Sequence, residues 1–202
     1  MNKNAHIRKF DKQAKKYERM QQKDPTAKFR KRIIPDAEGE VLEVAIGTGL
    51  NLPFYKNVTA LTGIDFSREM LEAASKVTAR YPYSIELKQA DVETATFEEN
   101  RFDTIVSSLS FCSYEKPVEV LNRFGKWCKP DGKILMLEHG KSTNRLLRGL
   151  QKGIDPLAYK MIGCHQDRDI LGYVIASEQL EVVKVERALA GFFYFIWARP
   201  RK

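Results

Sequence analysis

Glu43-Val44-Ala45-Ile46-Gly47-Thr48-Gly49-Leu50-Asn51 is the stretch on which the reading of this chain turns. It continues a strand-like run over 41–45 and leads into residues 50–55, which can open a short helix. Gly47 and Gly49 let the chain turn sharply and let a ligand approach bare backbone. A helix starting there would aim its free N–H groups at the turn. The pattern predicts a nucleotide-type binding turn.

Outward from the turn, strand and helix signals alternate. Strands are expected at 60–65, 84–89, 104–108 and 133–138, and a helix after Ser67, which can cap it with Met70, Leu71 and Ala74 inward. A helix over 117–128 should stop at Pro130-Asp131-Gly132. Residues 145–162 read as helical but broken or kinked by Gly149, Gly153 and Pro156. The last strands, 180–188 and 193–198, are joined by Ala190-Gly191 with no room for a helix, so they should form an antiparallel hairpin. Five β-α repeats and a hairpin predict an α/β fold: seven strands, mostly parallel, with helices on both faces.

Upstream, residues 3–20 read as an amphipathic helix with Ile7, Phe10, Ala14 and Tyr17 on one face. A second helical piece, 27–34, ends before Pro35. Of 202 residues with net charge +8, the first 34 hold twelve Lys/Arg against three Asp/Glu; the remainder hold 22 against 23. The basic character therefore belongs to the N-terminal arm. Such an arm can meet an anionic membrane surface, attract nucleic-acid phosphates, or pack as a lid on the body. The chain divides into a basic helical lid, 1–36, and one domain, 37–202.

No apolar run reaches transmembrane length, and Met1-Asn2-Lys3-Asn4 starts no secretory leader. Cys112, Cys128 and Cys164 form neither a disulfide framework nor a zinc pattern. A cytoplasmic location is expected, peripheral at the inner face of a membrane if the arm binds lipid; no metal is expected.

In open α/β sheets, ligands lie beyond the carboxyl ends of the strands. Asp65 ends the second strand, eighteen residues after Gly47, where an acid can accept from both ribose hydroxyls or merely cap the next helix. Asp91 follows the third strand, where it can accept from the adenine amine or sit in a plain turn. Ser107-Ser108-Leu109-Ser110-Phe111-Cys112 follows the fourth. A dinucleotide is disfavoured: the third glycine of that fingerprint is replaced by Leu52, Glu43 is an acid such a site does not need, and there is no second half for a substrate domain. Adenosine without a pyrophosphate fits better.

Taken together, Glu43-Val-Ala-Ile-Gly-Thr-Gly49, Gly63-Ile-Asp65 with Ser67 and Met70, Ala90-Asp91-Val92, 102–106 and 129–135 resemble the motif series of class I S-adenosylmethionine-dependent methyltransferases. Ala45 stands where that family usually has its first glycine. Phe10-Asp11, Ala14 and Tyr17 are similar to the entry helix of the ubiquinone/menaquinone-type branch. Glu138-His139-Gly140, Gln151, Asp155-Pro156 and Gly163-Cys164-His165 with Arg168-Asp169 resemble a subgroup of membrane-associated thiol methyltransferases and a yeast mitochondrial-membrane methyltransferase. The N-terminal half resembles bacterial phosphatidylethanolamine N-methyltransferases.

The resemblance implies a Rossmann-like fold and S-adenosyl-L-methionine as donor. It implies a donor site formed by Tyr17, Glu43, Ala45, Gly47, Thr48, Gly49, Asn51, Asp65, Phe66, Met70, Asp91, Val92, Ser107 and Leu109. Tyr17 would also close over the sulfonium, where an aromatic ring favours a cation. A base is needed only if the acceptor must lose a proton; His139 and His165 are the candidates, against structural hydrogen bonding. The expected acceptor is a small molecule or phospholipid headgroup carrying a thiol, amine or quinol-like hydroxyl. Two other classes remain. An RNA methyltransferase would suit the basic arm, but 107–110 lacks the Asn/Asp-Pro-Pro-aromatic run of base-amine enzymes. A non-catalytic adenosine-binding domain would not need the full set of binding groups.

Overall fold

A computed structural model describes residues 3–201; Met1 and Asn2, part of the N-terminal stretch read above as lacking a leader, lie outside the described residues. The elements run α1 (Lys3–Met20), α2 (Ala27–Ile33), β1 (Glu38–Val44), β2 (Asn57–Asp65), α3 (Arg68–Thr78), β3 (Ser84–Gln89), β4 (Phe102–Ser108), α4 (Pro117–Trp127), β5 (Cys128–His139), α5 (Arg145–Ile162), α6 (Ile170–Ala176), β6 (Leu180–Ala188) and β7 (Phe193–Pro200). Two 3-10 turns, Ile34–Asp36 and Leu52–Phe54, complete the described set.

All seven strands form one sheet in the order β3-β2-β1-β4-β5-β7-β6. The pairs among β1 to β5 are parallel, and β7 runs antiparallel to both β5 and β6. The strand order reverses between β1 and β4, which opens a crevice at their carboxyl ends. Central strands are apolar on both faces, as layered parallel sheets require; Val41, Leu42 and Val44 are wholly buried. One core layer joins α4 and α6 to the sheet through Val120, Leu121, Phe124, Ile170 and Val174. The opposite layer joins α2 and α3 through Phe29, Ile33 and Val77.

Several expectations need correcting. The segment 50–55 is a 3-10 turn over Leu52–Phe54, and no helix separates β3 from β4, so neither crossover is a regular β-α repeat. Asp91 instead folds 91–95 into a turn: its carbonyl accepts from Ala95 N at 2.7 Å and its side chain from Glu93 N at 2.8 Å. Strand β5 begins at Cys128, because Phe102 already pairs with Cys128 ahead of a register shift; Pro130-Asp131-Gly132 ends the helix without ending the pairing. Helix α6 was not anticipated. Helix α5 is continuous through Gly149, Gly153 and Pro156.

Candidate functional site

The turn after β1 is held by the acid that ends β2. Gly47 N donates to Asp65 Oδ2 at 2.9 Å, and Ser67 N donates to Asp65 Oδ1 at 2.8 Å. Ser67 then caps α3, its Oγ accepting from Met70 N. One carboxylate thus ties the turn to the start of α3. Gly47 (φ 58°) and Gly49 (φ 81°) occupy left-handed backbone, as does Ala45 (φ 50°). A Cβ on Gly47 would meet nothing nearer than Ala45 O at 4.0 Å, so that carbon faces open space. A Cβ on Gly49 would strike Leu52 at 2.7 Å, so that glycine serves packing. Burial pushes Asp65 up to about 6, against the pull of its two backbone donors.

Glu43 is buried in β1 with both oxygens engaged: Asn51 Nδ2 donates at 2.8 Å and Tyr55 OH at 2.7 Å. Burial raises it to about 7, with the Tyr55 and Asn51 bonds opposing. Asn51 Oδ1 in turn accepts from Arg30 Nη1 at 2.6 Å, and the same nitrogen donates to Ser108 Oγ at 2.8 Å. Arg30 Nε pairs with Asp24 at 2.8 Å, both side chains being buried. The guanidinium therefore links the N-terminal helices, the glycine turn and the end of β4. Sequence reasoning missed Arg30, because it stands in the run Lys28-Phe29-Arg30-Lys31-Arg32, where one buried cation looks like its solvated neighbours.

These groups wall a cavity of about 110 Å³. Of the expected donor-site residues, Tyr17, Glu43, Ala45, Gly47, Thr48, Asp65, Phe66, Met70 and Leu109 line it. Arg30, Phe10, Ser108, Ser110 and Ser113 join them. Asn51 and Gly49 stand behind the wall, as just described. Ser107 is fully buried and donates to Glu138 Oε1 at 2.7 Å, so it points away from the cavity; Ser108 and Ser110 take its place. The alternation of side chains along β4 explains the one-residue difference. Thr48 Oγ1 is buried in this wall without a hydrogen-bond partner. An orphaned hydroxyl and an open glycine carbon beside a carboxylate suit a polar ligand carrying hydroxyls and an amino-acid group.

Asp91 lines an adjoining cavity of about 60 Å³ with Lys3, His6, Ile7, Phe66 and Tyr114; Val92 is buried behind it. Phe66 and Ser113 border both spaces. Lys3 Nζ lies 2.5 Å from Asp91 Oδ2, tying the start of α1 to the end of β3. Further along α1, Asp11 Oδ1 accepts from Ser67 Oγ at 2.5 Å. Beyond it, Gln21 Nε2 donates to Thr48 O at 2.6 Å. The helix thus lies across both cavities, with Phe10 and Tyr17 turned in.

The opposite wall is built by Glu138, another fully buried acid. It accepts from Ser110 N at 2.9 Å and Phe111 N at 3.2 Å, which shapes the loop after β4. Burial raises it to about 7. Behind that loop stand the free thiols of Cys112 and Cys164 with His139 beside them, and these groups interact. Their mutual interaction, with His139, lowers Cys164, and the same interaction with burial raises Cys112. His139 stacks on Phe192, its Nδ1 buried without a partner. His165 Nδ1 is 2.7 Å from Asp155 Oδ2, and its ring stacks on Tyr159 at 4.1 Å. Neither histidine lines the cavity with Asp65.

A mostly parallel sheet with its crevice between β1 and β4 and a glycine turn clamped by Asp65 define a domain of the Rossmann-like class with a candidate nucleoside site. Residues 42–136 match the family model described as "Methyltransferase domain". The chain is 34% identical over 161 residues to the phosphatidylethanolamine N-methyltransferase of Cereibacter sphaeroides, covering 78% of each chain. It is 30% identical over 193 residues to the mitochondrial methyltransferase OMS1 of Saccharomyces cerevisiae, covering 86% of this chain and 41% of that longer protein. A solved chain from the complex of the Haloferax volcanii Trm112 methyltransferase activator with a methyltransferase superposes with TM-score 0.75 at 17% identity, covering 96% of this chain and 98% of that one, which speaks to fold alone. The chain belongs to the S-adenosylmethionine-dependent methyltransferases.

Proposed function

We propose that the chain methylates a small-molecule or lipid-headgroup acceptor, and that a phospholipid headgroup amine is its substrate class. The observation that carries this reading is the placement of the cavity under α1, with donor-type groups on its floor and the cationic helix over it. The similarity to a phosphatidylethanolamine N-methyltransferase over most of both chains supports the amine.

S-adenosylmethionine supplies a methyl on a sulfonium; the acceptor nitrogen's lone pair forms the new N–CH₃ bond as the S–CH₃ bond breaks, leaving a thioether. The chain's own residues position and desolvate. Asp65 would accept from the ribose hydroxyls, and Asp91, released from Lys3, from the adenine amine. Gly47 would offer bare backbone. Arg30 and Thr48 would face the amino-acid end, where a guanidinium suits a carboxylate. Glu43 would act through Asn51 and Tyr55, holding the turn. Residues 1–36 would serve as a lid, with Tyr17 closing over the reacting centre; burial raises that phenol to about 12, so it stays neutral.

An ammonium acceptor must lose a proton before its lone pair is free. His165 is occupied by Asp155 while His139 Nδ1 has no partner, so His139 is the candidate base, acting from behind the cavity wall that it does not line. The test is transfer of labelled methyl across phospholipids, thiols, quinol-like phenols and RNA. Label in the phospholipid fraction supports the reading; label in thiol or RNA alone overturns it.

A further inference from the structure

Helix α5 is built inside out. Leu146, Leu150, Ile154, Leu157 and Met161 recur at steps of four, four, three and four, with Leu147 beside them, within roughly a 100° arc of the helix. All six point to solvent, from 45% exposed at Leu147 to 85% at Leu146. The fully buried position is Gln151, a polar residue. Its Nε2 donates to Gly140 O at 2.9 Å and to Gln166 O at 2.7 Å, and its Oε1 accepts from Ser142 N at 2.8 Å. Asp155, one turn on, holds His165. Polar hooks fasten this helix to the body, and its apolar side is left outward. Contiguous exposed apolar surface of this size marks an interaction site.

The charge beside the stripe identifies the partner. Arg145, Lys152 and Lys160 are exposed on the neighbouring face of α5, whereas Asp155, its one acid, is turned to His165. Helix α1 abuts the end of α5: Lys9 Nζ donates to Lys160 O, and Gln13 Nε2 to Ile162 O at 3.3 Å. Exposed Arg8, Lys12 and Lys16 line a shared groove with Met161 and Ile162. Because α1 turns Phe10 and Tyr17 inward, it offers charge without a free apolar face. A second copy of the chain on the stripe would set these cations against their own kind. A lipid bilayer with anionic headgroups complements both parts.

We propose that α5 lies in the interface of an anionic membrane, with its leucine stripe among the acyl chains and the cations of α5 and α1 on the headgroups. This docking does not depend on which acceptor is methylated, since binding is read without turnover. The test is flotation of the full chain with vesicles of phosphatidylcholine alone or mixed with phosphatidylglycerol. Two variants away from the donor cavity, L150Q/L157Q and K12E/K16E, are compared with it after equal folding and equal S-adenosylmethionine affinity are verified. The expected result is binding to phosphatidylglycerol vesicles, weakened roughly tenfold or more in L150Q/L157Q at any salt. The K12E/K16E variant should bind more weakly, with a flatter salt dependence. No flotation of the unaltered chain at low salt overturns the proposal, as does full binding by L150Q/L157Q. So does a dimer in sedimentation that L150Q/L157Q abolishes while vesicle binding persists, which would assign the face to a second copy.

Discussion

The floor of the cavity and its outer flank are assembled on opposite principles. On the floor, Asp65 and Glu43 are buried carboxylates whose every oxygen meets a donor, so the turn has little freedom. On the flank, α5 carries two glycines and a proline in its interior, buries an amide, and exposes its leucines. The floor is pre-organised for a ligand of fixed shape. The flank is a marginal helix in water, since helical stability normally comes from packing an apolar face. On the proposed function, the difference separates a constant donor from an acceptor delivered by its surroundings.

The largest expected effect tests the floor. Asp65→Ala removes both the clamp on Gly47 and the acceptor for ribose; losing two charge-assisted bonds should weaken S-adenosylmethionine about 100-fold or more in calorimetry. A change under about threefold would sink the ribose assignment.

Acid should reproduce part of that loss. Asp65 in the empty protein is raised to about 6, and hydroxyl donors favour its charged form. Donor affinity is therefore full above about pH 7 and declines as pH falls through 6, reaching roughly a tenfold loss at pH 5. Asp65→Asn should bind weakly and show no such step; an unaltered chain with a flat profile from 5 to 8 would contradict the assignment.

The remaining predictions concern the wall opposite the floor and the flank. His139→Ala should slow transfer roughly 100-fold with donor affinity unchanged, with the rate recovering at high pH as the amine loses its proton unaided. An unchanged rate at neutral pH removes the histidine base. Gly149→Ala and Gly153→Ala should each raise stability by about 0.5–1 kcal/mol, because a Cβ at either position meets nothing within 4 Å. Destabilisation in a thermal melt would mean that the exposed side of α5 is covered in solution.

The two regions were also unequally legible. The parallel sheet, α5 and the terminal hairpin followed from periodicity and punctuation, and Ser84–Gln89, Arg145–Ile162 and Leu180–Ala188 lie where the pattern puts them. The glycine turn and Asp65 could be read because close approach to a ligand demands particular residues at particular strand ends. Arg30 and Glu138 could not: each is a charged residue whose burial depends on distant partners, Asn51 and Ser108 for one and Ser107 and Ser110 for the other. Helix α6 was hidden because Ile170–Ala176 is short and apolar, a run that periodicity cannot separate from a strand. The spacing of the α5 leucines does not by itself say which way they face. Only the placement of Gln151 inward reveals that the helix is turned over.

No helix among the described residues is long and apolar enough to cross a membrane. The most direct measurement compares labelled-methyl transfer to phosphatidylethanolamine held in phosphatidylglycerol vesicles, to the same lipid in neutral vesicles, and to soluble phosphoethanolamine and thiols. The account predicts label in the lipid fraction, fastest on the anionic vesicles. Equal or faster methylation of the soluble acceptors, with the vesicle lipid left unlabelled, would contradict it.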